Sequence, residues 1–264
     1  MQPEGLHLGP WRIGWYALML CLGFLAGNWT ARRRAPLAGV PVAWFTDIFV
    51  IIFVAALVGS RLWHVLESWD EKFRAAPWWE IFAFSKGGLT YYGGFFGAVA
   101  AMFFYARWRR VSFWKLADVI TPSIALGYAI TRIGCLMNGC CWGCPTSVPW
   151  AITFPATHPT HAVPVHPTQL YNSAANLALY AGLEWIFRRR RFEGQVLGCY
   201  LAAYGAVRFV TESFRGDNAQ IIGGVLTLSQ ATSIALLVGG VLFLSWRKHN
   251  SPAIDQTTPA IKHN

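Results

Sequence analysis

Seven apolar stretches of roughly membrane-spanning length, at 13–28, 44–66, 87–106, 119–137, 170–187, 196–214 and 222–246, leave this chain few folds to choose from. A bilayer core is crossed by about 20 helical residues. Inside it every main-chain N–H and C=O must be satisfied within the protein, which only helices and closed barrels achieve. Of the 264 residues 55% are hydrophobic and only 13% charged, about half the charged fraction of soluble domains. The sequence therefore predicts an all-α, polytopic integral membrane protein with seven transmembrane helices. Residues 1–246 read as a single seven-span membrane domain, and 247–264, polar and carrying Pro252 and Pro259, as a disordered tail.

A net charge of +10 could suggest a nucleic-acid partner, but the basic residues form no binding face. They cluster at the ends of apolar stretches: Arg32 to Arg34; Arg107, Arg109, Arg110 and Lys115; Arg188 to Arg191; Arg247 and Lys248. If the helices alternate in direction, all four clusters fall on one side, which the positive-inside rule makes cytoplasmic. The amino terminus is then outside and the carboxyl terminus inside. Charges follow the first apolar run instead of preceding it, and no small-residue cleavage site is evident, so it reads as a retained span and not a signal peptide. The segment 138–169 has no Lys or Arg, in keeping with an outward position, and Trp69, Trp78 and Trp79 between the second and third spans suit an interfacial belt.

Ionisable residues inside these spans are expensive and need partners. The spans contain or adjoin Asp47, Arg61, Arg132, Glu184, Arg208 and Glu212. Arg208 and Glu212 are four apart on one helix face and can pair, whereas Arg61 and Arg132 have no equally close carboxylate in sequence. Three arginines converging in the outer half of the membrane would suit a phosphate, which the planar guanidinium holds bidentately; a snorkelling role is the alternative, more so for Arg61. The third span opens on a glycine-dense run in which Gly93 and Gly97 form a small-xxx-small pair. That pair either admits a neighbouring helix or bares main-chain N–H groups for an anion.

Four of the six cysteines, Cys135, Cys140, Cys141 and Cys144, fall within ten residues. Their spacing does not match the paired C-x2-C pattern of common structural zinc sites. Small packing residues, a disulfide or, least of the three, a metal site remain the readings. His166-Pro-Thr-Gln-Leu-Tyr171 and Tyr16 add a histidine, an amide and phenols at outer helix ends, where turn, cap or aromatic-belt roles compete with binding.

Together these blocks resemble the bacterial prolipoprotein diacylglyceryl transferase family. The resemblance runs in order through Leu-Gly-Pro to Trp15-Tyr16, Gly59-Ser-Arg61, Gly87 to Gly94, Arg132-Ile-Gly to Asn138-Gly and Trp142-Gly143, His166 to Tyr171, and Tyr204-Gly to Arg208 and Glu212. It implies transfer of a diacylglyceryl group from phosphatidylglycerol to the lipobox cysteine of a prolipoprotein signal peptide, with release of glycerol phosphate, in the bilayer of the bacterial inner membrane. No cofactor, metal or nucleic acid is implied. Arg132 is implied to hold the lipid phosphate, and Arg208 with Glu212 to form a second functional pair. Tyr16, Arg61, Asn138, Gly143, His166, Gln169, Tyr171 and Glu212 are implied to bind substrate. The chain departs from the family pattern at Thr131, usually glycine, at Cys135, usually asparagine, and at Cys140, usually glutamate. Tyr92 stands at the place of a histidine often proposed as base, and Asn172 replaces a glutamate. Tyr92 then becomes the candidate to bind or relay a proton. The competing reading is a divergent paralogue, a membrane thiol, redox or metal protein working through Cys135 to Cys144.

Overall fold

The computed structural model describes residues 5–8, 11–74, 76–83, 87–217 and 226–251. Among them are seven α-helices: α1 (Trp15–Arg34), α2 (Ala43–Glu67), α3 (Tyr91–Trp108), α4 (Phe113–Asn138), α5 (Thr168–Arg188), α6 (Gln195–Glu212) and α7 (Leu228–Asn250). Three of them, α2, α4 and α7, are long and apolar enough to cross a membrane. The start of the seventh apolar stretch (222–225) and tail residues 252–264 lie outside the described residues, as does part of the Leu-Gly-Pro motif. Helix α7 carries on past the predicted start of the tail, to Asn250.

The fold is all-α as expected, with one small addition at its start. Strands β1 (Leu6–Leu8) and β2 (Trp11–Ile13) form a short antiparallel hairpin, Leu6 opposite Ile13 and Leu8 opposite Trp11, before α1 begins. The apolar stretch from residue 13 gave no sign of it, since two three-residue strands are too short for alternation to register.

The surface carries what a soluble protein would hide. Val50, Phe53, Val54 and Leu62 on α2, and Val238, Val241 and Leu242 on α7, are exposed, whereas Arg34, Arg61, Asp118, Gln169, Asn176 and Glu212 are buried. Lipid tails are as apolar as leucine, so helices here gain little by hiding aliphatic side chains and associate through close packing and polar contacts. The protein is a membrane protein.

Two compact units make up the chain, one of Ala38–Leu116 and one of Met1–Leu37 with Ala117–Asn264. In the first, α2 and α3 touch backbone to backbone. A Cβ added at Gly59 would lie 2.4 Å from the Gly93 carbonyl oxygen, and one at Gly97 2.3 Å from that of Ala55. Gly93 and Gly97 thus serve the close helix approach that their spacing predicts. Arg61, buried on α2, donates to the carbonyls of Ile81 (2.8 Å), Gly87 (2.6 Å) and Glu80 (2.7 Å). It stitches the connection between α2 and α3 to the end of α2.

In the second unit, polar contacts tie α1, α4, α5 and α6 together. Arg34, nominally one of a cytoplasmic basic cluster, is buried. It donates to the Val119 carbonyl (3.0 Å), to Glu184 (2.8 Å) and to the Ser123 hydroxyl. Asp118, at the start of the longest helix, accepts from the amides of Gly194 (2.8 Å), Val196 (3.0 Å) and Leu197 (3.1 Å). It caps α6 across the fold, satisfying amides that a helix start leaves orphaned.

Replacing Gly97 by leucine should cost about 1–3 kcal/mol, the usual range for overpacking. Gly239→Ala, where a Cβ meets nothing within 4 Å, should leave stability unchanged or slightly raised; thermal unfolding in detergent compares the two.

Candidate functional site

The site is built at the C-terminal ends of α4 and α6, which run in the same direction. The rings of Tyr128 on α4 and Tyr204 on α6 meet edge to face at 5.7 Å. Beyond the helix ends, the Cys144 amide donates to the Phe214 carbonyl (2.8 Å) and Gly216 to Trp142 (3.3 Å). Arg132 and Arg208 each stand four residues past their tyrosine, about one turn further along. The two arginines therefore hold corresponding positions on α4 and α6.

Their partners differ in a way that matters. Arg132 stacks over the Tyr128 ring, 4.5 Å from its centre, and donates to the same tyrosine's hydroxyl. No carboxylate of the described residues lies in ion-pair distance of it. Arg208 pairs with Glu212 at 2.9 Å, as the i,i+4 spacing predicts, and donates to Ser229 (3.2 Å). Its Nη1 is buried with no hydrogen-bond partner among the described residues. Glu212 is also 3.8 Å from Arg215 and accepts from the Thr227 hydroxyl (3.3 Å), the residue that caps α7. One carboxylate thus serves two cations and a helix start.

Tyr16 approaches from α1. A Cβ on Gly134 would sit 3.0 Å from the Tyr16 Cα, so the glycine of Arg132-Ile-Gly lets α1 press against α4. The Tyr16 phenol lies within electrostatic reach of Arg132 and of Cys135, Cys140 and Cys141.

The uncharged segment after α4 folds back over these helix ends. Gly143 donates to the His166 carbonyl (3.1 Å), and a Cβ there would lie 2.5 Å from that oxygen and 2.7 Å from the Phe214 oxygen. Gln169 and Thr168, buried at the start of α5, donate to the carbonyls of Cys140 (2.7 Å) and Cys141 (2.6 Å). His166 meets the Tyr171 hydroxyl at 3.1 Å, Trp150 donates to that hydroxyl at 2.7 Å, and Phe214 packs against both rings. Asn138 is exposed and borders a small cleft of about 200 Å³ lined by Phe154 and His158. His158, which the sequence did not single out, holds the Gly139 carbonyl at 2.6 Å and stacks on Phe154. Asn172 binds within its own helix and accepts from Thr211 (3.2 Å), joining α5 to α6.

Three thiols gather beside Arg132: the Sγ atoms of Cys135, Cys140 and Cys141 all lie within 4.8 Å of one another. Hydrogen bonds shared among the three thiols hold that of Cys141 below the ordinary thiol range and push that of Cys140 above it. Cys144 stands apart, its thiol donating to the Arg215 carbonyl (3.2 Å). All are free thiols.

Arg61 and Tyr92 belong to the other compact unit. Arg61 is engaged with the carbonyls described above, and Tyr92 is exposed on the first turn of α3, edge to face with Tyr91.

A helical membrane protein with paired guanidiniums at the ends of two parallel helices is the class these features define. The family model of prolipoprotein diacylglyceryl transferase matches residues 3–246. A protein of Vibrio vulnificus (strain CMCP6), named phosphatidylglycerol–prolipoprotein diacylglyceryl transferase, is 34% identical over 263 residues, covering 98% of this chain and 96% of that protein. Proteins of the same name from Vibrio cholerae (strain ATCC 39541) and Aliivibrio salmonicida are 35% and 34% identical, covering 93% and 100% of this chain and 91% and 94% of their own lengths. The chain belongs to the prolipoprotein diacylglyceryl transferase family.

Removing one partner of a buried ion pair strands the other charge. Glu212→Gln should therefore destabilise lipid-free, detergent-solubilised protein by about 3–5 kcal/mol. Asp217→Asn, at a partly exposed pair with Arg215, should cost about 1 kcal/mol or less; chemical or thermal unfolding separates the two.

Proposed function

We propose that this chain transfers a diacylglyceryl group from phosphatidylglycerol to the lipobox cysteine thiol of a prolipoprotein, releasing glycerol phosphate. Family membership and the names of its relatives support the reaction. The observation that carries the site assignment is incompletely matched positive charge near the ends of α4 and α6: Arg132 without a carboxylate in ion-pair distance among the described residues, and Arg208 with a buried Nη1 that has no hydrogen-bond partner among them. Half-buried cations of this kind in a membrane protein call for an anion, and a lipid phosphate is the anion a bilayer supplies.

In this reading the acceptor's thiolate attacks the glycerol carbon that bears the phosphate. A C–S bond forms, the C–O bond to phosphate breaks, and glycerol phosphate departs with the electron pair while the thiol proton passes to a base. Arg132 and Arg208 hold the phosphate as it leaves, and stabilising the leaving group is the larger part of the catalysis. Tyr16, Asn138, Gly143, His166, Gln169 and Tyr171 shape and hold the site, and Glu212 orients Arg208. Arg61 supports the region between α2 and α3, and Tyr92 is the motif's candidate for the proton. Seven spans with the amino terminus outside, as the basic clusters suggest, would put the chemistry at the outer face of the bacterial inner membrane, both substrates entering from the bilayer.

Arg132→Ala should lower diacylglyceryl transfer to a lipobox peptide in reconstituted membranes by about 10²–10³-fold, the usual loss for one leaving-group or oxyanion donor. Unfolding temperature should barely change. Release of glycerol phosphate from phosphatidylglycerol gives the second readout, and wild-type rates from the variant would overturn the assignment.

A further inference from the structure

The transferase reaction as proposed makes no use of the three thiols beside Arg132. They come from two places: Cys135 from the last turns of α4, Cys140 and Cys141 from the turn beyond it. The turn is a built one. Cys140 donates its amide to the Cys135 carbonyl at 3.0 Å, and Cys141 takes a left-handed backbone conformation (φ 63°) next to Gly139 (φ 73°). The carbonyls of both loop cysteines are fixed by Thr168 and Gln169 of α5. The sequence spacing, C-x4-C-C, ranked a metal site last because the ligands combine a helix end with a tight turn.

We propose that Cys135, Cys140 and Cys141 form a three-thiolate site for one thiophilic d¹⁰ cation, Zn(II) or Cu(I), on the flank of the Arg132 site. Binding displaces three thiol protons to solvent and forms three metal–sulfur bonds, with no change of oxidation state. Zinc–sulfur bonds of about 2.3 Å in a tetrahedral site need sulfurs roughly 3.8 Å apart. The separations here, all within 4.8 Å, reach that by side-chain rotation. Soft thiolate ligands select Cu(I) and Zn(II) over the hard cations. Nearby positive charge helps the thiols ionise, and Arg132 supplies it, its Nη1 4.0 Å from the Cys135 sulfur. Zn(II) on three thiolates leaves one net negative charge for Arg132 to offset, with a fourth coordination position open. Cu(I) leaves two negative charges but accepts three ligands readily.

The test uses the full chain purified in detergent, with a reductant that is not itself a thiol. Zn(II) is titrated against a chromophoric chelator and Cu(I) against a Cu(I)-specific one, with Co(II) as a spectroscopic probe. One equivalent of Zn(II) or Cu(I) per chain is expected, the better competitor identifying the ion, and Co(II) should give a sulfur-to-metal charge-transfer band in the near ultraviolet. Cys140→Ser and Cys141→Ser should each weaken binding by about tenfold or more. Cys144→Ser and Cys199→Ser should leave it unchanged. The proposal fails if neither ion binds the unmodified chain, if binding survives the Cys140 and Cys141 substitutions, or if the trio is isolated as a disulfide and takes up no metal once reduced. Because the readout is metal uptake by the wild-type chain, these results leave the lipid-transfer reading to its own experiment.

Discussion

The structure depends on satisfying charge in an apolar medium. A guanidinium or carboxylate inside a bilayer has no water to fall back on, so its partners must be built in. Arg34 shows how fully this is done: one side chain binds a main-chain carbonyl of α4, a hydroxyl of α4 and a carboxylate of α5. Asp118 does the reverse, spending its two oxygens on three amides at the start of α6. These contacts fix α1, α4, α5 and α6 of one unit, as Arg61 fixes the connection between α2 and α3 in the other. Against that background of matched charges, Arg132 and Arg208 stand out because their matching is incomplete.

Helix contact supplies the second half of the architecture. Where the hydrophobic effect gives helices no reason to associate, close approach does, and glycine is what permits it. The same residue type recurs at the site, where Gly134 admits α1 to the level of Tyr16 and Gly143 admits the returning segment between His166 and Phe214. Gly134 and Gly143 are thus positioning devices: each brings another element within reach of Arg132 or of the loop that follows it.

What could be read from the sequence follows from the range of the interactions. Apolar periods and glycine spacing are local, and the helices and the α2–α3 contact follow from them. The Arg208–Glu212 pair is local too, one helical turn, and it forms as expected. Arg34 with Glu184 spans 150 positions and Asp118 with the α6 amides about 76 to 79. Nothing in sequence connects such residues, so Arg34 reads as one more member of a basic cluster and Asp118 as the edge of an apolar run. The cysteines stood out as a run in sequence, but the meeting of three sulfurs did not, for a related reason. Their spacing resembles no metal motif, and only the turn at Gly139 and Cys141, pinned by α5, gathers the sulfurs. The hairpin before α1 escaped because six residues are too few to carry a period.

The choice of arginine at position 132 follows from geometry. Its guanidinium lies over the face of Tyr128 and also donates to that hydroxyl, which holds the plane of the fork without neutralising it. A tyrosine ring offers a cation attraction of about 0.5–2 kcal/mol but no formal charge. The guanidinium is therefore oriented while its full positive charge and remaining N–H groups stay available to a planar pair of oxygens. A lysine could take the stacking or the hydrogen bond, yet its compact ammonium has no second edge to present bidentately. Arg208 reaches a similar condition by another route, with Glu212 holding one side while Nη1 has no hydrogen-bond partner among the described residues. Two guanidiniums near the ends of parallel helices, each anchored on one edge, are suited to gripping a phosphate more tightly as its charge grows.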